Sequence, residues 1–145
     1  ICVFSSQEEV TIRGVISAAY STDPDLGIAI DVTATGDTPG GKMEVGLGKG
    51  PAIKVRDEGM LADPRVVNLM RTSAQNAGLP YQMEILKSGT TDARAIQVTR
   101  AGVPAGCLSI PARYIHSPSE MVDLEDINNG LALMLELLRK PIELK

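Results

Sequence analysis

Glu8 and Glu9 stand side by side behind the apolar run Ile1-Cys2-Val3-Phe4 and the short polar link Ser5-Ser6-Gln7. Asp31 follows a second apolar run, Ile28-Ala29-Ile30, and His116, the one histidine of the chain, follows Arg113-Tyr114-Ile115. Glu9, Asp31 and His116 are candidate metal ligands, because mixed carboxylate and imidazole ligation suits zinc, cobalt or manganese. An adjacent Glu pair can divide the work, one carboxylate holding a metal while its neighbour handles a proton. Each residue also has a plainer account. Paired acids at a helix start are favoured by the helix dipole, and a single His is usually a satisfied structural side chain. The three candidates gain weight together, since each follows a predicted strand and ligands in open α/β sheets bind at the carboxyl ends of strands. A carboxylate as apolar in its setting as Asp31 is costly unless paired or metal-bound.

The elements that must position these residues alternate along the chain. Residues 1–4 read as a buried strand, and a helix follows with Ile12, Val15, Ile16 and Ala19 on one face. Residues 26–32 form a second strand, residues 33–50 a long loop and residues 51–56 a third strand. Asp63-Pro64 supplies a cap and first residue for a helix whose inner face is Val66, Val67, Met70, Ala74 and Ala77, closed by Gly78. Residues 81–86 make the next strand. A short helix opening at Thr91-Asp92 carries Ala95, Ile96 and Thr99 inward and stops at Gly102. Residues 105–110 are a fifth strand, and Asp123 caps a last helix with the stripe Leu124, Ile127, Leu131, Met134 and Leu138. Such alternation predicts an α/β fold, a three-layer α/β/α unit around a mostly parallel mixed sheet. A strand that begins at residue 1 predicts a chain that is part of a larger domain.

Bulk properties narrow the function. The chain has 145 residues, one domain's worth, with 14 basic against 18 acidic side chains, so its formal charge is 14 − 18 = −4. With no basic cluster, one Phe, three Tyr and no Trp, it lacks the means to neutralise phosphates or stack bases, which excludes nucleic acid as a partner. No apolar stretch is long enough to cross a bilayer. Cys2 and Cys107 lie in apolar runs and read as buried free thiols. Gly46-Leu47-Gly48-Lys49-Gly50 fails both standard phosphate-loop spacings and reads as a turn. Gly89-Thr90-Thr91-Asp92 reads as a helix cap.

Five stretches together resemble the glutamyl aminopeptidase family: Val3-Phe4-Ser5-Ser6-Gln7-Glu8-Glu9-Val10, Ala29-Ile30-Asp31-Val32-Thr33, Leu47-Gly48-Lys49-Gly50-Pro51-Ala52-Ile53, Thr91-Asp92-Ala93, and Ser109-Ile110-Pro111-Ala112-Arg113-Tyr114-Ile115-His116-Ser117-Pro118. These are dinuclear-metal peptidases related to the tetrahedral aminopeptidases, often labelled endoglucanases or cellulases. The resemblance implies a catalytic domain with two zinc or cobalt ions, peptide substrates, a cytoplasmic location and a homo-oligomeric intact protein. It assigns Glu8 as catalytic base and Glu9, Asp31 and His116 as metal ligands. Residues 1–145 correspond to a single unit, the C-terminal portion of such a domain. The family's other ligands, a His and a bridging Asp, and its dimerisation domain would precede it. These 145 residues alone are therefore expected to have little or no peptidase activity. Two other readings of the chain are an endoglucanase built on two carboxylates without metal and a non-catalytic module that only binds a partner.

Overall fold

The computed structural model describes residues 1–144. Its sheet holds β1 (Gly27–Ala34), β4 (Ala105–Arg113), β2 (Ala52–Arg56) and β3 (Gln82–Ile85) side by side in that order, and β5 (Met121–Val122) extends the far end of β4. β1 runs parallel to β4 and β2 parallel to β3, while β2 and β4 are antiparallel. The sheet is thus mixed, and helices cover both of its faces. α2 (Pro64–Asn76) and α4 (Leu124–Leu138) pack on one face around Ile53, Met70, Leu108 and Leu133. α1 (Arg13–Thr22) and α3 (Asp92–Gln97) lie on the other, where Ala29, Ala93 and Cys107 meet. The three-layer α/β/α expectation is borne out.

Local chemistry accounts for the better-marked elements. Asp63 accepts the Arg65 N–H at the start of α2, with Pro64 at the first helical position, where its missing N–H costs nothing. Val66, Met70 and Ala74 then recur at helical spacing and are fully buried, although Ala77, expected inward, is exposed. β4 reaches Arg113, beyond its predicted end at residue 110, and is buried along most of its length because strands flank it on both sides.

Four expectations fail. Residues 1–4 form no strand and Ile1 and Phe4 are fully exposed, so Cys2 is exposed as well, while Cys107 is buried as expected. An apolar run becomes a strand only beside a ladder partner, and among the described residues none pairs with it. β1 is an edge strand and only half buried, with Ile30 and Val32 facing outward. On α1, Val15 and Ala19 are buried, Ile12 falls just before the helix and Ile16 is exposed. α4 is rotated from its predicted stripe. Asp126, Gly130, Leu133 and Leu137 face inward, whereas Leu124, Ile127, Leu131 and Leu138 are exposed and Met134 is half-buried.

A polar anchor sets that rotation. Asp126, fully buried, accepts the N–H groups of Gly48 and Gly50 at 2.8 and 2.7 Å. A Cβ on Gly130 would meet Ile110 Cδ1 at 2.9 Å, so a larger residue there would push the tip of the Ile110 side chain aside. The Gly46–Gly50 stretch is a turn, as predicted. Gln82 binds it from β3, donating to the Gly46 and Gly50 carbonyls and accepting the Gly46 N–H.

Candidate active site

Glu8 and Glu9 lie in a turn ahead of α1. The Ile12 N–H donates to the Glu8 carbonyl at 2.9 Å and the Val10 N–H to that of Gln7 at 3.3 Å. α1 has no acidic residue in its first turn, so the pair does not serve as the helix's dipole cap. The turn supplies what adjacent carboxylates need in order to face one cavity, since an extended strand would point them apart. Three residues here have left-handed backbone, Gln7 (φ 59°), Thr11 (66°) and Ile12 (58°). That conformation costs an L residue about 1–2 kcal/mol, and β-branched Thr11 and Ile12 are poorly suited to it. Strain of this kind persists where the surroundings over-determine the geometry, and it clusters at functional sites.

His116 lies in the turn after β4 and is also left-handed (φ 60°), as is Tyr114 (55°). Its backbone N–H donates to Glu120 Oε1 at 2.6 Å, and Ser117 Oγ donates to the Tyr114 carbonyl at 2.6 Å. The imidazole Nε2 meets Glu9 Oε2 at 3.2 Å, both side chains being about two-thirds exposed (66% and 71%). Two of the three candidate ligands, 107 residues apart in the chain, are thereby brought into contact.

Asp31 stands apart from that contact. It sits within β1 rather than at its end, half-buried, with Oδ1 accepting the Val32 N–H at 2.7 Å. Among the described residues no three His, Cys, Asp or Glu side chains are grouped to hold one ion. Electrostatics nevertheless link the acids. Burial raises the Glu8 carboxyl above its ordinary range, the Asp31, Glu9 and Asp92 carboxylates raise it further, and His116 acts in the opposite sense. Asp31 is raised chiefly by burial, with its Val32 hydrogen bond and Lys54 opposing and Asp92 and Glu9 adding. Carboxylates crowded in this way favour a bound cation or proton. A cavity of about 1010 Å³ opens between α1 and α3 beside them, lined in part by Glu8, Glu9, Ile16, Thr90, Ala95 and His116.

Sequence reasoning missed three residues around the site. Asp92, at the start of α3, accepts a hydrogen bond from Ser5 Oγ through Oδ2, and its Oδ1 is buried without a protein partner. Thr91, predicted to cap α3, makes no side-chain cap bond. Lys54 and Glu84 form a fully buried ion pair at 2.6 Å, and Thr33 Oγ1 donates to the same Glu84 oxygen at 2.6 Å. Lys54 had read only as part of a short strand; a charged residue inside an otherwise apolar run was the available signal.

Arg113 joins this end of the sheet to the long loop. It bonds Asp37 at 2.7 Å, and Asp37 also accepts the Leu47 N–H. The Arg113 guanidinium holds the Asp37 carboxyl well below the usual carboxylate range. A depressed folded-state pKa adds stability that is present above the unfolded value, about 4, and lost as pH falls through the folded one. Asp37→Asn should therefore lower stability at pH 7 by under about 1 kcal/mol, as befits a part-exposed pair. In melting curves from pH 7 to pH 2, its difference from wild type should shrink below about pH 4. A constant difference across that range would show that the ion pair does not hold the loop.

The comparisons with known proteins agree with the fold and give the family. The sequence profile of the M42 glutamyl aminopeptidase family matches residues 1–133, and the chain belongs to that family. A protein of Acetivibrio thermocellus named as an aminopeptidase is 50% identical over 135 residues, which are 92% of this chain and 41% of that one. The solved aminopeptidase APDkam598 of Desulfurococcus kamchatkensis superposes with a TM-score of 0.91 at 41% identity, over 94% of this chain and 40% of its own. The Pyrococcus horikoshii TET1 peptidase, which can assemble into a tetrahedron or a large octahedral shell, gives 0.82 at 30% identity, over 92% and 39%. The chain spans about two-fifths of the length of these relatives.

Proposed function

We propose that this chain carries part of the active site of a metal-dependent aminopeptidase that removes N-terminal residues from peptides. The observation that carries the reading is the Glu9–His116 contact beside a strained Glu8–Glu9 turn, in a chain of the M42 family. The donors fit zinc or cobalt. Glu9 and His116, already in contact, would share one ion, and Asp31, standing apart from them, would serve a second. Bound metal would polarise the scissile carbonyl and lower the pKa of the attacking water. Glu8 is the general base, taking a proton from that water and returning it to the leaving amine. An endoglucanase reading leaves His116 without a task. A purely binding module leaves the strain around Glu8 and Glu9 without a purpose.

The intact enzyme is read as a homo-oligomer acting on peptides in the cytoplasm, supported by the assembly of the Pyrococcus horikoshii relative and by the family resemblance. No helix among the described residues is long and apolar enough to cross a membrane.

With no three-ligand group among its described residues, the chain alone should hydrolyse peptides far more slowly than the 1–10³ s⁻¹ typical of enzymes, about. The check is release of the N-terminal residue from free and N-acetylated peptides with zinc or cobalt added. Turnover in the ordinary enzyme range would contradict the incomplete-site claim. Cellulose hydrolysis that survives a chelator would contradict the peptidase reading.

A further inference from the structure

Two polar side-chain contacts tie the turn bearing Glu8 and Glu9 to the rest of the fold, namely Glu9 with His116 and Ser5 with Asp92. The first belongs to the site itself. The second spans 87 residues of sequence and joins the segment entering the turn to the start of α3. Immediately beyond it the chain passes through left-handed Gln7, Thr11 and Ile12, a path that relaxes unless both of its ends are held. The exit is held by α1. The Gly14 N–H donates to the Ser6 carbonyl at 2.9 Å, and a Cβ on Gly14 would lie 2.5 Å from Ser6 backbone atoms. That bond also fixes the entry at Ser6, and the Ser5 side chain anchors it to α3.

We propose that Asp92 is a positioning residue for this site. By accepting the Ser5 hydroxyl it holds the entry of the strained turn, and so sets where Glu8 and Glu9 stand relative to His116 and Asp31. Asp92 is at the right place for this: it stands at the start of α3, and its second oxygen is buried with no protein partner. Removing a group hydrogen-bonded to a metal's ligands typically lowers metal affinity about 10- to 100-fold, and the Ser5–Asp92 bond, which fixes the segment carrying Glu9, is expected to act on that scale. The assignment rests on the metallopeptidase reading for its purpose, though not for its mechanics.

Its test compares Ser5→Ala, Asp92→Ala, Asp92→Asn and the Ser5→Ala/Asp92→Ala double variant in the whole chain. Hydrogen exchange reads the turn without metal, through the amides of Ile12 and Gly14, with Val67 of α2 as the remote reference (its N–H donates to Asp63 O at 3.0 Å). Exchange at Ile12 and Gly14 should rise about tenfold or more in both alanine variants, with Val67 unchanged. The double variant should be no worse than either single, and Asp92→Asn, which keeps an acceptor for Ser5, should restore protection. Zinc affinity should follow the same order, falling about 10- to 100-fold in the alanine variants. Unchanged exchange in Asp92→Ala, strictly additive singles, or an asparagine variant as impaired as alanine would overturn the proposal. So would a rise shared by Val67, which marks a general loss of stability. If the wild type takes up no zinc, the metal reading fails for this chain, while the exchange arm still decides the role of Asp92.

Discussion

Lys54→Met is expected to destabilise the chain by about 3–5 kcal/mol, because it strands the Glu84 carboxylate in a site that water does not reach. Both side chains are fully buried and 2.6 Å apart, and Glu84 Oε2 already lacks a hydrogen-bond partner. Two ions taken out of water are compensated mainly through each other and through Thr33, with the Asp31 carboxylate also facing Lys54's charge. The pair is therefore weak as a source of stability but costly to break from one side. The double variant Lys54→Met/Glu84→Leu should recover most of the loss, less about 1 kcal/mol for the Thr33 hydroxyl left without its acceptor. Urea unfolding of wild type, single and double variants measures all three. A single variant within about 1 kcal/mol of wild type would mean that water or a rearranged partner reaches Glu84.

Asp126→Ala should cost about 3–6 kcal/mol, since hydrogen bonds to a charged group contribute about 1.5–3 kcal/mol each and two are lost together. The Gly48 and Gly50 N–H groups would be left without their acceptor at the point where the long loop enters β2. Asp126→Asn keeps one acceptor and should fall between the two. The same unfolding measurement decides it. If the alanine variant also lets α4 turn toward its more apolar stripe, Leu131 should become protected and Leu133 exposed to labelling.

How much of this was legible in the residues follows from where the determining forces act. Asp63-Pro64 and Asp123 announce their helices through bonds to residues one or two positions away, so sequence reveals them directly. β4 reads as a strand because both of its neighbours bury it, and a continuous apolar run results. The α4 stripe misled because two apolar faces compete on that helix. The face that won carries an acid and a glycine, chosen by loop N–H groups 76 and 78 residues away. Residues 1–4 misled for the converse reason, since an apolar run specifies a strand only where a partner strand is present.

In the site, Glu8, Glu9 and His116 were legible as residue types placed after apolar runs. Their contact, their left-handed backbones and the displacement of Asp31 from it depend on tertiary geometry. Asp92 was legible as a cap residue and within the Thr91-Asp92-Ala93 stretch, but not as an anchor of the turn, because its partner Ser5 lies 87 residues away.

Zinc titration of this chain, with cobalt absorption as a second signal, tests the central claim most directly when wild type is set beside Glu9→Ala and His116→Ala. The expected result is binding by the wild type, a loss of about 100-fold or more in each variant, and no measurable uptake when both are combined, since each ligand supplies a donor to the one ion. Affinity unchanged by either substitution, or full uptake by the double variant, would contradict the shared site and the metallopeptidase reading built on it.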